Sequence, residues 1–264
     1  MPRLSATIIT LNEAAHIAAA IRSVSWADEV LVVDSGSTDD TVTIARAEGA
    51  RVESRAWTGW VDQKNHAAGL ATNDWILSLD ADERVTHELA SEIRALMAAG
   101  PSHAAYRIPR VTFHLGRWIR TTDFYPDFQT RLYDRRHARW RGTYVHESVS
   151  SDSPPGRLTH ELQHFSFANL ADHLDRLNRY STLAARQLYE GGRRTSIAGV
   201  MLHPVGAFVR NYLLRRGFLD GTAGLTLSAV NAYGVFIKMA KLHELQRRAP
   251  GTPDAADPNL NLYT

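Results

Sequence analysis

The first hundred residues switch repeatedly between two periods of apolar and polar positions. Residues 4–10, LSATIIT, fit a strand, and the helical spacing of 13–24 follows at once. EVLVVDS, 29–35, is a near-continuous Val/Leu run, the pattern of a strand buried on both faces. Ser37 or Thr38 can cap the next helix, with Asp39 and Asp40 in its first turn and Gly49 as its stop. ARVESR is a third, short strand, and a helix through VDQKNHAAGLA leads into a fourth, DWILSLD. An amphipathic helix, HELASEIRALMAAGP, ends on Gly-Pro.

Repeated β-then-α units predict a parallel, doubly wound sheet. Ligands of such sheets bind outside the carboxyl ends of the strands. That rule brings three polar clusters to one rim: Thr10–Glu13, Asp34–Asp39 and Asp80–Glu83. Carboxylates are costly to bury unpaired, so a core does not explain the pattern and a site does.

From 106 to 149 the strands become crowded with arginine and aromatic residues, in AAYRIPRVTFHLGRWIR and FQTRLYDRRHARW, around a loop TTDFYPDF. PPGR at 154–157 punctuates, and 169–189 reads as a long helix. The stretch 197–241 is apolar in both halves but dotted with Arg210, Arg215, Arg216, Lys238 and Lys241. Its longest uncharged run, Gly221–Ile237, falls short of a bilayer span, so an interfacial pair of helices is expected.

Charge sharpens this reading. Residues 1–175 carry a net of −5, residues 176–248 a net of +9 and the last 16 residues −2. A basic, apolar C-terminal region suits an anionic membrane surface, a nucleic acid or a solvated helical face. The membrane surface is the expected partner, and nucleic acid is not. With no cysteine there is neither a disulfide nor a thiolate zinc site. The N-terminus runs directly into a strand without an apolar leader, which points to a cytoplasmic protein, and the basic, apolar C-terminal region makes it one expected to be peripheral at the inner membrane face.

Residues i and i+2 of an extended segment project to one side, so Asp80 and Asp82 can face one hard divalent cation. Asp-X-Asp alone more often caps the following helix, and it is the companion clusters that favour the cation. Asp34 offers a carboxylate at a strand end, Ser35, Gly36 and Ser37 a small turn that a planar base can approach, and Asp39 an acceptor for that turn. TLNEA (10–14), VVDSGSTDDT (32–41), QKN (63–65) and LSLDADE (77–83) together resemble the family 2 glycosyltransferases with the GT-A fold. GRWIR (116–120), YPDFQTRL (125–132), VHE (145–147), HFS (164–166), LNRYS (177–181) and RGFLDG (216–221) are similar to the lipopolysaccharide-core β-1,4-glucosyltransferase subgroup.

The resemblance implies an α/β, mostly parallel sheet with helices on both faces and a C-terminal helical extension. Residues 1–165 would be catalytic, with a nucleotide-sugar-binding half at 1–100 and an acceptor-side half at 101–165. A helical region at 166–248 and a flexible tail at 249–264 would follow. Thr10, Asn12, Glu13, Asp34 and Ser35 would line the uracil and ribose pocket, with Lys64 and Asn65 near the nucleotide. Asp80 and Asp82 would hold ribose and a divalent metal, Mg²⁺ or Mn²⁺, with His146 or else His164 as a further ligand. Asp127 is the first choice for the general base, with Asp123 and Glu147 as rivals. Arg117, Arg120 and Arg131 would meet phosphates, or else pair with Asp123, Asp127 and Asp134. Glu83 is given no ligand role, only support of its loop or the acceptor side.

The implied reaction is an inverting transfer of one hexose, glucose first, from a UDP-sugar to a lipid-linked saccharide such as the lipopolysaccharide core. Rival readings are transfer to a polyprenyl phosphate or a protein, and a non-catalytic nucleotide-binding membrane adaptor. No QxxRW of processive synthases occurs. The cations that the turn acids await are expected to arrive with the donor, leaving the unliganded site short of positive charge.

Overall fold

The computed structural model describes residues 2–142 and 147–247. They form two compact units, one of residues 2–111 and 127–165, the other of 112–126 and 166–247.

The first unit opens on β1 (Leu4–Thr10), α1 (Ile17–Ser23), β2 (Glu29–Asp34), α2 (Thr41–Ala47), β3 (Arg51–Ser54), α3 (Trp60–Leu70) and β4 (Trp75–Asp80). Then come β5 (Glu83–Val85), α4 (His87–Ala99) and β6 (Ala105–His114), whose last three residues belong to the second unit. There β6 pairs antiparallel with β7 (Arg117–Ile119). Back in the first unit lie β8 (Asp127–Asp134), β9 (Ala138–Arg141), β10 (Ser148–Ser151), β11 (Gly156–Arg157) and β12 (Leu162–His164). The main sheet runs β3-β2-β1-β4-β8-β6-β12-β5, with β7 and β11 also on β6; β9 and β10 form a separate ribbon.

The four strands β3-β2-β1-β4 are parallel, as the alternating β and α patterns require, and antiparallel β8 and β6 extend them. Alternation along β1 decides what each face meets. Leu4, Ala6 and Ile8 pack with Ile17 and Ile21 of α1, Ala45 of α2 and Leu89 of α4. Ile9, from the opposite face, packs with Leu31, Val33 and Ala67 of α3. Helices therefore cover both faces, and a fully buried side chain such as Ile8 contributes about 2 kcal/mol of apolar transfer. The mixed α/β, GT-A-type sheet implied by the resemblance is thus present, and so is the C-terminal helical extension.

The register sets the rim. Thr10 lies opposite Asp34, and Ile9 opposite Asp80, so the loops leaving β1, β2 and β4 emerge side by side. Asp39 differs from expectation. It precedes α2 and accepts the Thr41 and Ala14 N–H groups at 3.0 and 3.1 Å, instead of sitting in the first helical turn.

The second unit holds α5 (Leu170–Glu190), α6 (Ile197–Val209) and α7 (Gly221–Leu245). α6 contains Pro204 and runs into a π-helical turn, Arg210–Leu214. Buried Thr122 takes a left-handed φ of 61°, rare for a β-branched residue, and its N–H donates to the Arg215 carbonyl at 3.2 Å. One apolar surface stays uncovered: Ile197, Met201, Leu202, Val205 and Val209 recur along α6, and Leu213, Leu214, Phe218 and Leu219 continue past it, all exposed. Residues 197–214 have a mean hydropathy of 1.2, long and apolar enough to cross a membrane by length and composition.

Candidate active site

The loops after β1 and β2 are tied together by polar side chains. Asn12, at φ 54°, donates its N–H to Ser37 Oγ and accepts from the Thr38 N–H through Oδ1, both at 2.8 Å. Glu13 N–H donates to Thr41 Oγ1 at 2.8 Å. Asp34 is turned into its own loop, where Oδ2 accepts the N–H groups of Gly36 and Ser37 at 2.9 and 3.0 Å. Ser35 Oγ accepts from Gln63 Nε2 at 3.1 Å, which links this turn to α3. Thr10 Oγ1 is buried with no hydrogen-bond partner among the described residues. The Asn65 amide both donates to and accepts from the Trp140 backbone, at 3.0 and 3.1 Å, fastening α3 to β9.

Asp80 ends β4 and Glu83 starts β5, with Ala81 buried in the core between the acids. Asp80 Oδ2 accepts from Arg131 Nη2 at 2.5 Å, and its Oδ1 lies 3.2 Å from Lys64 Nζ. Lys64 is only 2% exposed; it also reaches Glu147 at 3.3 Å and stands over the Trp140 ring, 4.3 Å from its centroid. Burial raises the Asp80 carboxyl, but Arg131 and Lys64 outweigh it and hold the group far below the usual carboxylate range.

The expectation that the turn acids lack cations is overturned for Asp80 and Glu83. Glu83 is wholly buried, with Oε1 accepting from Arg110 at 2.9 Å and from Arg131 at 2.6 Å. Arg110 also grips Asp127 Oδ2 through Nε and Nη2, at 2.9 and 2.6 Å. Gln129 Nε2 donates to the other Asp127 oxygen at 2.6 Å. Arg131 therefore pairs with Asp80 and Glu83 rather than with Asp127 or Asp134, whose partner is Arg136. Asp82 has its ion-pair contact with His164, whose Nε2 is 3.3 Å from Oδ2, and feels the charge of Arg110 from farther off. Burial and the Asp80 charge push Asp82 up, but His164 first and Arg110 after it hold the carboxyl below its ordinary value.

Among the described residues no three His, Asp or Glu side chains are grouped to hold a metal. Hard divalent ions need only one or two protein carboxylates when phosphates complete the shell. The 3.3 Å separation of Asp82 and His164 is close to the roughly 3 Å between adjacent ligands of an octahedral ion, so this pair fits one. His146 lies outside the described residues.

Asp123 belongs to the second unit. There Arg210 and Arg215 flank it at 2.8 and 3.0 Å, and Asn231 donates to it at 3.1 Å. Arg117 pairs with Asp220 at 3.0 Å, and the Arg120 N–H donates to the same carboxylate at 3.3 Å. Sequence reasoning missed Arg110 and Trp140. The strand AYRIPRV carries two arginines, exposed Arg107 and half-buried Arg110, and the local pattern does not tell which of them meets a buried anion.

Known proteins resemble the chain in sequence. The family described as Glycosyl transferase family 2 matches residues 5–153. An uncharacterized glycosyltransferase of Rickettsia felis is 36% identical, over 92% of this chain and 90% of its own. The lipopolysaccharide core biosynthesis glycosyltransferase LpsC of Rhizobium meliloti is 29% identical, over 96% of this chain and 97% of its own. Among solved structures, glucosyl-3-phosphoglycerate synthase from Mycobacterium tuberculosis, in complex with Mn²⁺, uridine diphosphate and glucosyl-3-phosphoglycerate, aligns at 28% identity with a TM-score of 0.36. That alignment covers 44% of this chain and 45% of the synthase chain. A family match over more than half the chain, joined by a relative alike along nearly its whole length, makes this protein a glycosyltransferase, a member of glycosyl transferase family 2.

Proposed function

We propose that the chain transfers a single hexose, glucose first, from a UDP-sugar to a lipid-linked saccharide of the lipopolysaccharide core type, with inversion. The observation that carries the reading is the Asp80–Glu83 turn at the end of β4, beside the loops of β1 and β2 and backed by Lys64 and Arg131. The near-full-length likeness to a relative named for lipopolysaccharide core biosynthesis supports the acceptor class.

In this reading Thr10, Asn12, Glu13, Asp34 and Ser35 shape the nucleoside end, with Asn65 holding the pocket wall. Asp82 and Asp80, with His164, and with His146 as a further candidate, would hold Mg²⁺ or Mn²⁺. When bound, such an ion supplies Lewis-acid charge to the departing diphosphate. Lys64 and Arg131 add fixed positive charge at the same place. Asp127 accepts the proton of the acceptor hydroxyl, whose oxygen attacks the anomeric carbon as the bond to the diphosphate breaks and UDP leaves. Asp123, between two arginines, and Glu147, on Lys64, are the weaker choices for that proton. The second unit's exposed apolar surface, beside Arg210, Arg215 and Arg216, is read as the face that rests on the cytoplasmic membrane surface.

The test is UDP release from UDP-glucose with Mn²⁺ and a truncated-core lipopolysaccharide acceptor. Asp127→Asn should lose turnover by a factor of roughly 100 or more while still binding UDP, and Asp123→Asn should stay near wild type. Asp82→Ala should lose turnover as well. Wild-type turnover in Asp127→Asn moves the base to Glu147. Sugar incorporated only into polyprenyl phosphate or protein changes the acceptor class, and UDP binding without turnover on any acceptor leaves an adaptor.

A further inference from the structure

Glu83 carries more than a loop. It is 0% exposed, yet it neighbours Asp80 and Asp82, whose side chains remain partly accessible. A carboxylate that deep stays charged only if its oxygens are fully engaged. Oε2 accepts the Asp80 N–H at 3.1 Å, and Oε1 is shared by Arg110 and Arg131 at 2.9 and 2.6 Å. Glu83 is therefore held from three sides.

Arg110 transmits that fixed position. Its guanidinium is planar and rigid, so anchoring one nitrogen sets the plane in which the others point. Nη1 is spent on Glu83, while Nε and Nη2 converge on Asp127 Oδ2 at 2.9 and 2.6 Å. Gln129 takes the other Asp127 oxygen from the same strand. Asp127 retains 29% side-chain exposure, so the chain of contacts ends at an accessible carboxylate. We infer that Glu83 is a positioning residue for the transfer step, fixing Arg110 and through it the orientation of Asp127 toward the acceptor hydroxyl. This inference rests on Asp127 being the base.

A double-mutant cycle separates positioning from simple structural support. Initial rates are measured with UDP-glucose, Mn²⁺ and truncated-core lipopolysaccharide for Glu83→Gln, Asp127→Asn and the double variant. Glu83→Gln should lower kcat by roughly 10- to 100-fold with donor KM within about threefold, because misorientation by an ångström costs that much. In the Asp127→Asn background the same change should cost less than about threefold, since the group it orients is already disabled. Losses that multiply in the double variant overturn the inference and leave the base assignment intact. If Asp127→Asn keeps wild-type kcat, or the wild-type chain releases no UDP, the reading beneath it fails and takes the inference with it. Should Glu83→Gln not fold, Arg110→Gln breaks the same link from its 18%-exposed end, with the same expected kcat loss and the same non-additivity.

Discussion

Among the described residues Lys64 pairs with Glu147, and it joins Arg131 at Asp80. Replacing it by Met keeps the volume near Trp140 but removes the common partner of two half-buried carboxylates. Breaking a buried pair from one side should cost about 3 kcal/mol, seen as a lower denaturant midpoint with an unchanged slope. Lys64→Arg should recover part of the loss. At this scale the sequence was partly legible. The acids of the turn stood out because three carboxylates crowded at a strand end need a reason. Their partners did not, because Lys64 meets Glu147 across 83 residues and Arg131 meets Glu83 across 48. Local pattern carries no information about pairings that distant, so the cations were expected from a ligand when the chain supplies most of them itself.

Elements were read best where periodicity had room to repeat. β1, β2 and β4, with six or seven residues each, fall within a residue of their expected bounds. β5, β11 and β12 have three residues or fewer, too short for any alternation to register. The π-helical turn after α6 was equally invisible, since RNYLL reads as ordinary helix. One junction of elements has a measurable pH response. His114 at the end of β6 and His173 on α5 approach to 3.1 Å, among Phe124 and Phe167. Burial and then the neighbouring His114 push His173 down to about 4, and Asp172 and Arg176 flank it with opposing effects. Burial lowers His114 too. Above about pH 6.5 the folded and unfolded chains both hold neutral imidazole. Between there and pH 4 the unfolded chain takes up a proton that the folded one refuses, so stability falls as pH falls. The loss should be on the order of 2 to 3 kcal/mol by pH 4. Unfolding free energies at pH 7.5, 5.5 and 4.5 check it, and His173→Phe should flatten the slope by about one proton.

For the molecule as a whole, charge and hydropathy divide along the chain. The net of +9 over 176–248 accompanies exposed Leu214 at 75% and Leu202 at 67%, side chains that a soluble surface rarely presents in such number. Sedimentation with vesicles should show binding to phosphatidylglycerol-containing bilayers, weak binding to neutral phosphatidylcholine, and loss in high salt. Leu213→Ser with Leu214→Ser should release the protein from anionic vesicles while UDP binding stays. Equal binding to duplex DNA at the same salt would instead favour a nucleic-acid partner. The basic, apolar character was legible from sequence. Which helix presents it was not: the long uncharged run expected to matter, Gly221–Ile237, has buried positions at Ala223, Gly224, Leu227, Ser228 and Val230, whereas α6 leaves most of its apolar residues uncovered.

Trp140 has an optical consequence. Its ring is 3% exposed, with Lys64 at 4.3 Å and Arg131 at 5.5 Å from the centroid. Indole emission responds to nearby charge, and both cations sit against Asp80, which the proposed function places at the nucleotide. A donor that draws Lys64 or Arg131 toward its phosphates therefore changes the field on a chromophore already in place. Titration with UDP should shift or quench intrinsic fluorescence, and Trp140→Phe should abolish the change while the other five tryptophans keep emitting. Under the proposed function, Trp140 should serve as a label-free reporter of donor occupancy.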